Sequence, residues 1–226
     1  MYANKNNRIG GLQPITLPEP AFDRCTTVFE ALKMRSTCRS IGNESISLQM
    51  LSDILWSATG VNRIQGPFGG PGRTAGSASN SQEISVFVAM EKGTYLYEPG
   101  SHSLTPVVDG DSRELAIGPG QGKAGADAPV RFIYVVDINK FRTAGFLEPG
   151  LYDREIQKSY YFVDTGLIAQ NVYLASASLG LASWFHNCNK AALRKKLNLK
   201  PHQHALFGQT IGYAVAPPSD APSTGL

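Results

Sequence analysis

Residues 160–181 read YYFVDTGLIAQNVYLASASLGL, and this stretch decides the fold. Its positions are apolar or small on nearly every side of a helical wheel. A helix of that kind is buried all round, in a core or against a second subunit. Gly180 closes it. Strand-like runs surround it without strict β-α alternation, so the predicted class is α+β rather than doubly wound.

After the helix, Ala182–His186 reads as a short strand or loop, Lys190–Leu197 as a helix and Leu206–Val215 as a final strand. Before it, Val130–Asp137 is a continuous apolar run of strand length, expected at the centre of a sheet with both faces covered. Ile84–Met90 and Thr94–Glu98, joined by Lys92-Gly93, form a hairpin signal that Leu104–Val108 extends. Ser47 is suited to cap a helix in which Leu48, Leu51, Ile54, Leu55 and Ala58 recur at three- and four-residue steps up to Gly60. Val28, Phe29 and Leu32 place a shorter helix over Thr27–Met34. Asn62–Arg73 is a Gly/Pro-rich loop, and Ser112–Ala128 gives no period. The predicted organisation is an extended arm over 1–20, one domain over 21–215 and a disordered Pro-bearing tail over 216–226.

The chain has 226 residues, 42% of them hydrophobic and 17% charged, with a net charge of +3. That is enough for one real core, and the sparse charge fits a surface partly covered by another subunit. No Lys/Arg stripe points to nucleic acid; Arg194-Lys195-Lys196 sits where it complements a helix dipole. The longest apolar stretch is interrupted by Asp164, Gln170 and Asn171, which makes it a poor membrane span. Cys25, Cys38 and Cys188 are an odd set without metal spacing, read as reduced thiols of a cytoplasmic protein, although an exported parent with a trimmed signal stays open. His202 and His204 lack carboxylate or thiol company, so no metal is expected. There is no nucleophile elbow or P-loop, and Gly118-Pro119-Gly120-Gln121-Gly122 has no following helix. The chemistry therefore calls for a cofactor.

Three segments offer to hold one. Arg35-Ser36-Thr37-Cys38-Arg39 presents two guanidiniums and two hydroxyls on a short arc, a complement to a phosphate monoester, or else merely a solvated face. Ser77-Ala78-Ser79-Asn80-Ser81-Gln82 is a small-polar loop entering a buried strand. It brings backbone N–H groups near a ligand, and the Asn80 and Gln82 amides match the edge of a flat heterocycle. The alternative is a turn that caps its own backbone. Trp184-Phe185-His186-Asn187-Cys188 follows the long helix, either as a core Trp and Phe with a solvent-facing His or as a wall beside a ring. A charged tail and a planar polar ring together describe FMN.

These motifs resemble the nitroreductase family. Arg35-Ser36-Thr37-Cys38-Arg39-Ser40-Ile41 follows its Arg-x-Ser-x-Arg/Lys-x-Phe, and Gly76–Gln82 its Pro-Ser-x-x-Asn-x-Gln. Asp164–Leu181 resembles the central helix and Gln209–Tyr213 the closing strand. Leu55–Ala58 and Gly93–Tyr97 are similar to the branch that includes azoline oxidases. The resemblance implies a mixed, largely antiparallel sheet flanked by helices around a long buried central helix. It also implies a homodimer with two interfacial FMN sites. Arg35, Thr37 and Arg39, with Ser36 beside them, would hold phosphate. Ser77, Ala78, Ser79, Asn80 and Gln82 would approach the ring or substrate from the partner, and Phe185, His186 and Asn187 would lie near N5. The flavin carries the chemistry, so no side chain is expected as acid or base. Gly76 in place of Pro and the lack of a basic residue after Tyr213 loosen the expected FMN site. The implied function is hydride transfer from NAD(P)H to a nitroaromatic or quinone. The alternatives are an azoline-oxidising dehydrogenase with a partner protein and a flavin-binding paralogue without turnover.

Overall fold

The computed structural model describes residues 9–24, 26–121, 125 and 127–215; the expected tail over 216–226, the first eight residues of the arm, Cys25 and Gly122 lie outside them. Nine strands are described: β1 Ile15–Thr16, β2 Val61–Arg63, β3 Gly72–Arg73, β4 Ile84–Met90, β5 Gly93–Glu98, β6 Ser103–Asp109, β7 Val130–Asp137, β8 Ala182–His186 and β9 Gln203–Gly212. Four α-helices join them: α1 Val28–Met34, α2 Leu48–Thr59, α3 Arg154–Ser178 and α4 Lys190–Lys196. Seven strands form one sheet in the order β1-β6-β5-β4-β7-β9-β8. Every pairing in it is antiparallel, so the expected largely antiparallel sheet is antiparallel throughout.

The unbroken apolar run of β7 has a simple cause. Phe132, Tyr134 and Val136 face a core shared with α2 and α3, whereas Ile133 and Val135 face a second core under α4. Layers on both faces leave no solvent side for polar residues. β7 sits between β4 and β9, with a bulge at Tyr134/Val135. The arm is not featureless: Ile15 pairs with Leu104, and Leu12 and Leu17 are buried. The Gly/Pro loop contains the small β2–β3 hairpin.

α3 begins six residues earlier than the apolar pattern implies, because Asp153 caps it by accepting from the Glu155 and Ile156 N–H groups. At its end Gly180 has φ +71°, and Leu181 N–H returns to Ser176 O at 2.8 Å. That is a left-handed glycine stop. Only one stripe of α3 is buried within the chain, through Asp164, Thr165, Ile168, Ala169, Val172 and Ser176. The other face leaves Val163 60% and Leu167 47% exposed. α1 packs on α3 and is capped by Thr27 and Glu30, each satisfying the other's backbone N–H. It leaves Val28 67% and Phe29 84% exposed.

Candidate functional site

α1 releases the chain at Arg35 in an extended conformation. The segment then follows the outer edge of the sheet. Cys38 N–H donates to Ser183 O at 3.1 Å, Gly42 N–H donates to Tyr213 O at 3.0 Å, and Ile41 bridges Ala214. Ile41 is buried and anchors the segment.

Tyr173 of α3 joins this segment to β8. Its hydroxyl accepts the Phe185 N–H at 2.8 Å and pairs with Thr37 Oγ1 at 3.2 Å. The Arg35 guanidinium lies 5.5 Å from the Tyr173 ring centre, and that of Arg39 lies 5.8 Å from Trp184. Such stacking holds a cation without neutralising it. Among the described residues neither arginine has a carboxylate at ion-pair distance. Ser36 and Thr37 are exposed beside them.

Alternation along β8 sorts the next segment. Trp184 and His186 share one face, with ring centres 4.4 Å apart; Phe185 points to the other, against Phe207 and Tyr134. His186 is buried rather than solvent-facing, bonded to Thr210 Oγ1 and Asn187 O at 2.8 Å each. Burial pushes it down to about 4, against the pull of the Asn187 carbonyl, so at neutral pH the ring is uncharged. Asn187 is exposed, and its side chain accepts the Cys188 N–H at 3.0 Å. Phe185 is the ring of this segment that meets the Tyr173 side, and Trp184 carries Arg39.

The Ser77–Gln82 loop is built differently. Ser79, Asn80 and Gln82 all have φ near +50°, a sparsely populated region for non-glycine residues. Hydrogen bonds hold them there. Asn80 Nδ2 donates to Pro67 O and Pro71 O, Gln82 Nε2 donates to Pro71 O and Asn80 Oδ1, and Ser77 Oγ accepts the Gln82 N–H. Both amides that the sequence offers to a heterocycle are thus engaged in shaping the loop. Arg73 Nε donates to Gln82 Oε1 at 2.8 Å, and Lys140 Nζ to Gln82 O at 2.8 Å. Asp164 Oδ2 accepts the Ala78 N–H at 3.0 Å, and Ser81 Oγ donates to Glu83 Oε2 at 2.6 Å. Behind the loop lies a cavity of about 300 Å³ lined by Arg73, Ser77, Glu83, Tyr97, Lys140 and Asp164, among others. Burial, then the charge of Asp164, pushes Glu83 up to about 7; burial likewise lowers Arg73 and Lys140 and raises Glu98.

Two of the three expected segments therefore meet at Tyr173, and the third stands apart. Asp164 and Tyr173 are nine residues apart on α3, about 13 Å along its axis.

The model of the nitroreductase family matches residues 32–213, which contain both clusters. The chain belongs to the nitroreductase family. A provisionally named nitroreductase of Methanocaldococcus jannaschii is 29% identical over 161 residues, 68% of this chain and 75% of that protein. The crystal structure of a provisionally named nitroreductase from Ralstonia eutropha superposes with a TM-score of 0.78 at 29% identity, covering 90% of each chain. The microcin synthetase McbBCD complex of E. coli, with truncated pro-MccB17 bound, gives a TM-score of 0.66 at 18% identity over 80% of this chain and 70% of that one, a likeness of fold. Family membership assigns the chain to the flavin-dependent oxidoreductases.

The residues present fit FMN. Two stacked guanidiniums with no carboxylate at ion-pair distance among the described residues, next to two exposed hydroxyls, suit a dianionic phosphate better than a neutral ligand. Sequence reasoning missed Tyr173, Arg73, Lys140, Glu83 and Asp164 as members of these clusters. Only Asp164 carried a signal, as a carboxylate inside an otherwise apolar helical stripe. Among the described residues no helix is long and apolar enough to cross a membrane, and no cluster of His, Cys, Asp or Glu is arranged to hold a metal.

Proposed function

We propose that this nitroreductase-family protein is an FMN-dependent oxidoreductase that takes hydride from NAD(P)H and passes it to an electron-poor acceptor such as a nitroaromatic or quinone. The observation that carries the reading is the pair of guanidiniums stacked on Tyr173 and Trp184 with no carboxylate among the described residues at ion-pair distance. Bound FMN would supply alternate acceptance and release of hydride, which gives ping-pong turnover. Arg35 and Arg39 hold its phosphate by charge-assisted hydrogen bonds, with Ser36 and Thr37 adding hydroxyl donors. Tyr173 fixes Thr37 and the Phe185 backbone with one hydroxyl, which sets the distance between the phosphate segment and β8. In the rigid Ser77–Asn80 turn the Ala78 and Asn80 N–H groups are spent on Asp164 and Ser77 O, and those of Ser77 and Ser79 would meet the ring or the acceptor without bulk in the way.

The same reading makes the protein a homodimer. Val28, Phe29, Val163 and Leu167 form an apolar surface on the packed pair α1 and α3 that a second copy would cover. The 13 Å between the two clusters supports a site completed by the partner's loop. A second reading, oxidation of a peptide azoline with a partner protein, draws on the fold shared with the microcin synthetase complex. It also draws on the exposed Phe68–Phe146 stack, 5.3 Å between centres, beside Asn80.

The test is the absorption spectrum of the purified protein before and after adding FMN and removing the excess. Bound flavin bands, with affinity at least about tenfold weaker in Arg35→Ala/Arg39→Ala, support the assignment. A protein that retains no flavin and gains no thermal stability from FMN overturns it.

A further inference from the structure

Glu83 and Asp164 are an unusual pair to bury. Glu83 is fully enclosed and Asp164 is 5% exposed, and their carboxyl groups lie within hydrogen-bonding reach of each other. Glu83 Oε2 is taken by the Ser81 hydroxyl and Asp164 Oδ2 by the Ala78 N–H. Glu83 Oε1 is inaccessible and receives no hydrogen bond from the described residues. With both groups ionised, two like charges would stand together in a low-dielectric site with an orphaned acceptor. One proton between them removes a charge and satisfies that oxygen. Around the pair stand Arg73 from β3, Tyr97 and Glu98 from β5, Asp137 at the end of β7 and Lys140 just after it. Of these, only Arg73 and Lys140 are cationic, and both are anchored on Gln82 rather than on the pair.

The placement gives this proton a use. Asp164 holds the Ala78 N–H from beneath the turn, and Ser77 lines the same cavity as both carboxyls. We propose that Glu83 and Asp164 share one proton and are the internal source of the proton an acceptor takes up when it is reduced at the Ser77–Asn80 loop, relayed through the Ser77 hydroxyl. The balance for a quinone is one hydride (two electrons and one proton) originating from the reduced nicotinamide, plus one proton from the pair. The products are the hydroquinone and a doubly ionised pair. Solvent entering through the cavity then reprotonates the pair, with Arg73 and Lys140 lowering the free energy of the transient double charge. Glu83 and Asp164 act through Ser77 and are positioning residues by this account.

The proposal rests on the oxidoreductase reading for delivery of the proton, but storage is testable without it. On the protein free of FMN, an infrared pH titration should show the carbonyl stretch of a protonated carboxyl at pH 6. The band should fade as the pH rises past neutrality and be missing from Glu83→Gln. A wild-type spectrum with no such band at pH 6 overturns the proposal, whatever the protein does with flavin. In the FMN-loaded protein, the acceptor half-reaction of Glu83→Gln should slow about 100-fold and lose its decline at alkaline pH, the scale of a lost proton donor. The half-reaction with nicotinamide should change far less. Equal pH profiles for Glu83→Gln and wild type overturn delivery and leave the pair a structural proton store. Asp164→Asn, whose amide can still accept from Ala78 and donate to Glu83, repeats the comparison if Glu83→Gln fails to fold.

Discussion

The two clusters set along α3, one at Asp164 and the other at Tyr173 toward its C-terminal end, use polar groups in opposite ways. Around Tyr173, the Arg35–Arg39 segment is solvent-facing, its guanidiniums rest on aromatic rings, and its hydroxyls are mostly uncommitted. Around Asp164, the Ser77–Gln82 loop is cross-braced by Arg73, Lys140 and its own amides, and the charges beneath it are buried. The first has spare hydrogen-bonding capacity and little stake in folding. The second has spent its capacity to hold three residues at positive φ. A ligand gains affinity from the first and finds a fixed shape in the second. Mutations at the two ends should therefore fail in different ways.

The largest expected effect is at the closed end. Asp164→Ala removes the acceptor of the Ala78 N–H and leaves Glu83 buried with the Ser81 hydroxyl but without its carboxyl partner and shared proton. A loss of about 3 kcal/mol in urea-unfolding free energy is expected. Asp164→Asn keeps an acceptor for Ala78 and should lose less than half as much. Arg35→Ala, at the open end, should leave unfolding unchanged within error and act only on flavin affinity. If Arg35→Ala destabilised the fold as much as Asp164→Ala, the contrast between the two ends would collapse.

A pH series sharpens the contrast. Glu83 is raised in the fold from 4.5 to about 7, chiefly by burial. The folded state therefore holds its proton more tightly, and this contribution to stability is full below pH 4.5 and lost as the pH rises to 7. His186, near the open end, is lowered from 6.5 to about 4, again chiefly by burial. Its contribution is full above pH 6.5 and lost as the pH falls toward 4. Between pH 4.5 and 6.5 the two slopes oppose each other, each at most about 1.4 kcal/mol per pH unit. Glu83→Gln should unmask the histidine, so that its stability rises with pH across this window more steeply than that of the wild type. Parallel curves for the two proteins would mean that Glu83 does not carry the buried proton.

This division also explains what could be read from the chain alone. β4, β7 and α2 were legible because burial on a face dictates local periodicity and capping, and so was the hairpin, although its turn is Glu91-Lys92 and Gly93 already pairs with Met90 as the first residue of β5. The Arg35–Arg39 and Ser77–Gln82 segments were legible as polar residues of fitting chemistry. Their settings were not. Tyr173 looks like one more aromatic residue in an apolar helix, and only the path of Arg35–Ile41 along the sheet edge makes its hydroxyl a junction. Glu83 sits at the junction between the polar loop and the Ile84–Met90 strand, where a carboxylate normally marks the solvent side; its neighbour Asp164 is 81 residues away in sequence. The start of α3 at Arg154 depended on the Asp153 cap, upstream of any apolar pattern.

The smallest effect tests whether the open end is a single unit. Tyr173→Phe keeps the ring beneath Arg35 and removes only the hydroxyl shared by the Phe185 N–H and Thr37. The half-buried Phe185 N–H then loses its acceptor, for about 1 kcal/mol of stability. Thr37 is released as well, so FMN affinity should fall a few-fold by fluorescence titration, while Thr37→Val should lower affinity without the loss of stability. In the double variant Tyr173→Phe/Thr37→Val, the affinity losses should be less than additive, because the second change removes a group the first has already freed. Strict additivity would mean that Thr37 meets the ligand independently of Tyr173, and that α3 supports the open end only through the ring under Arg35.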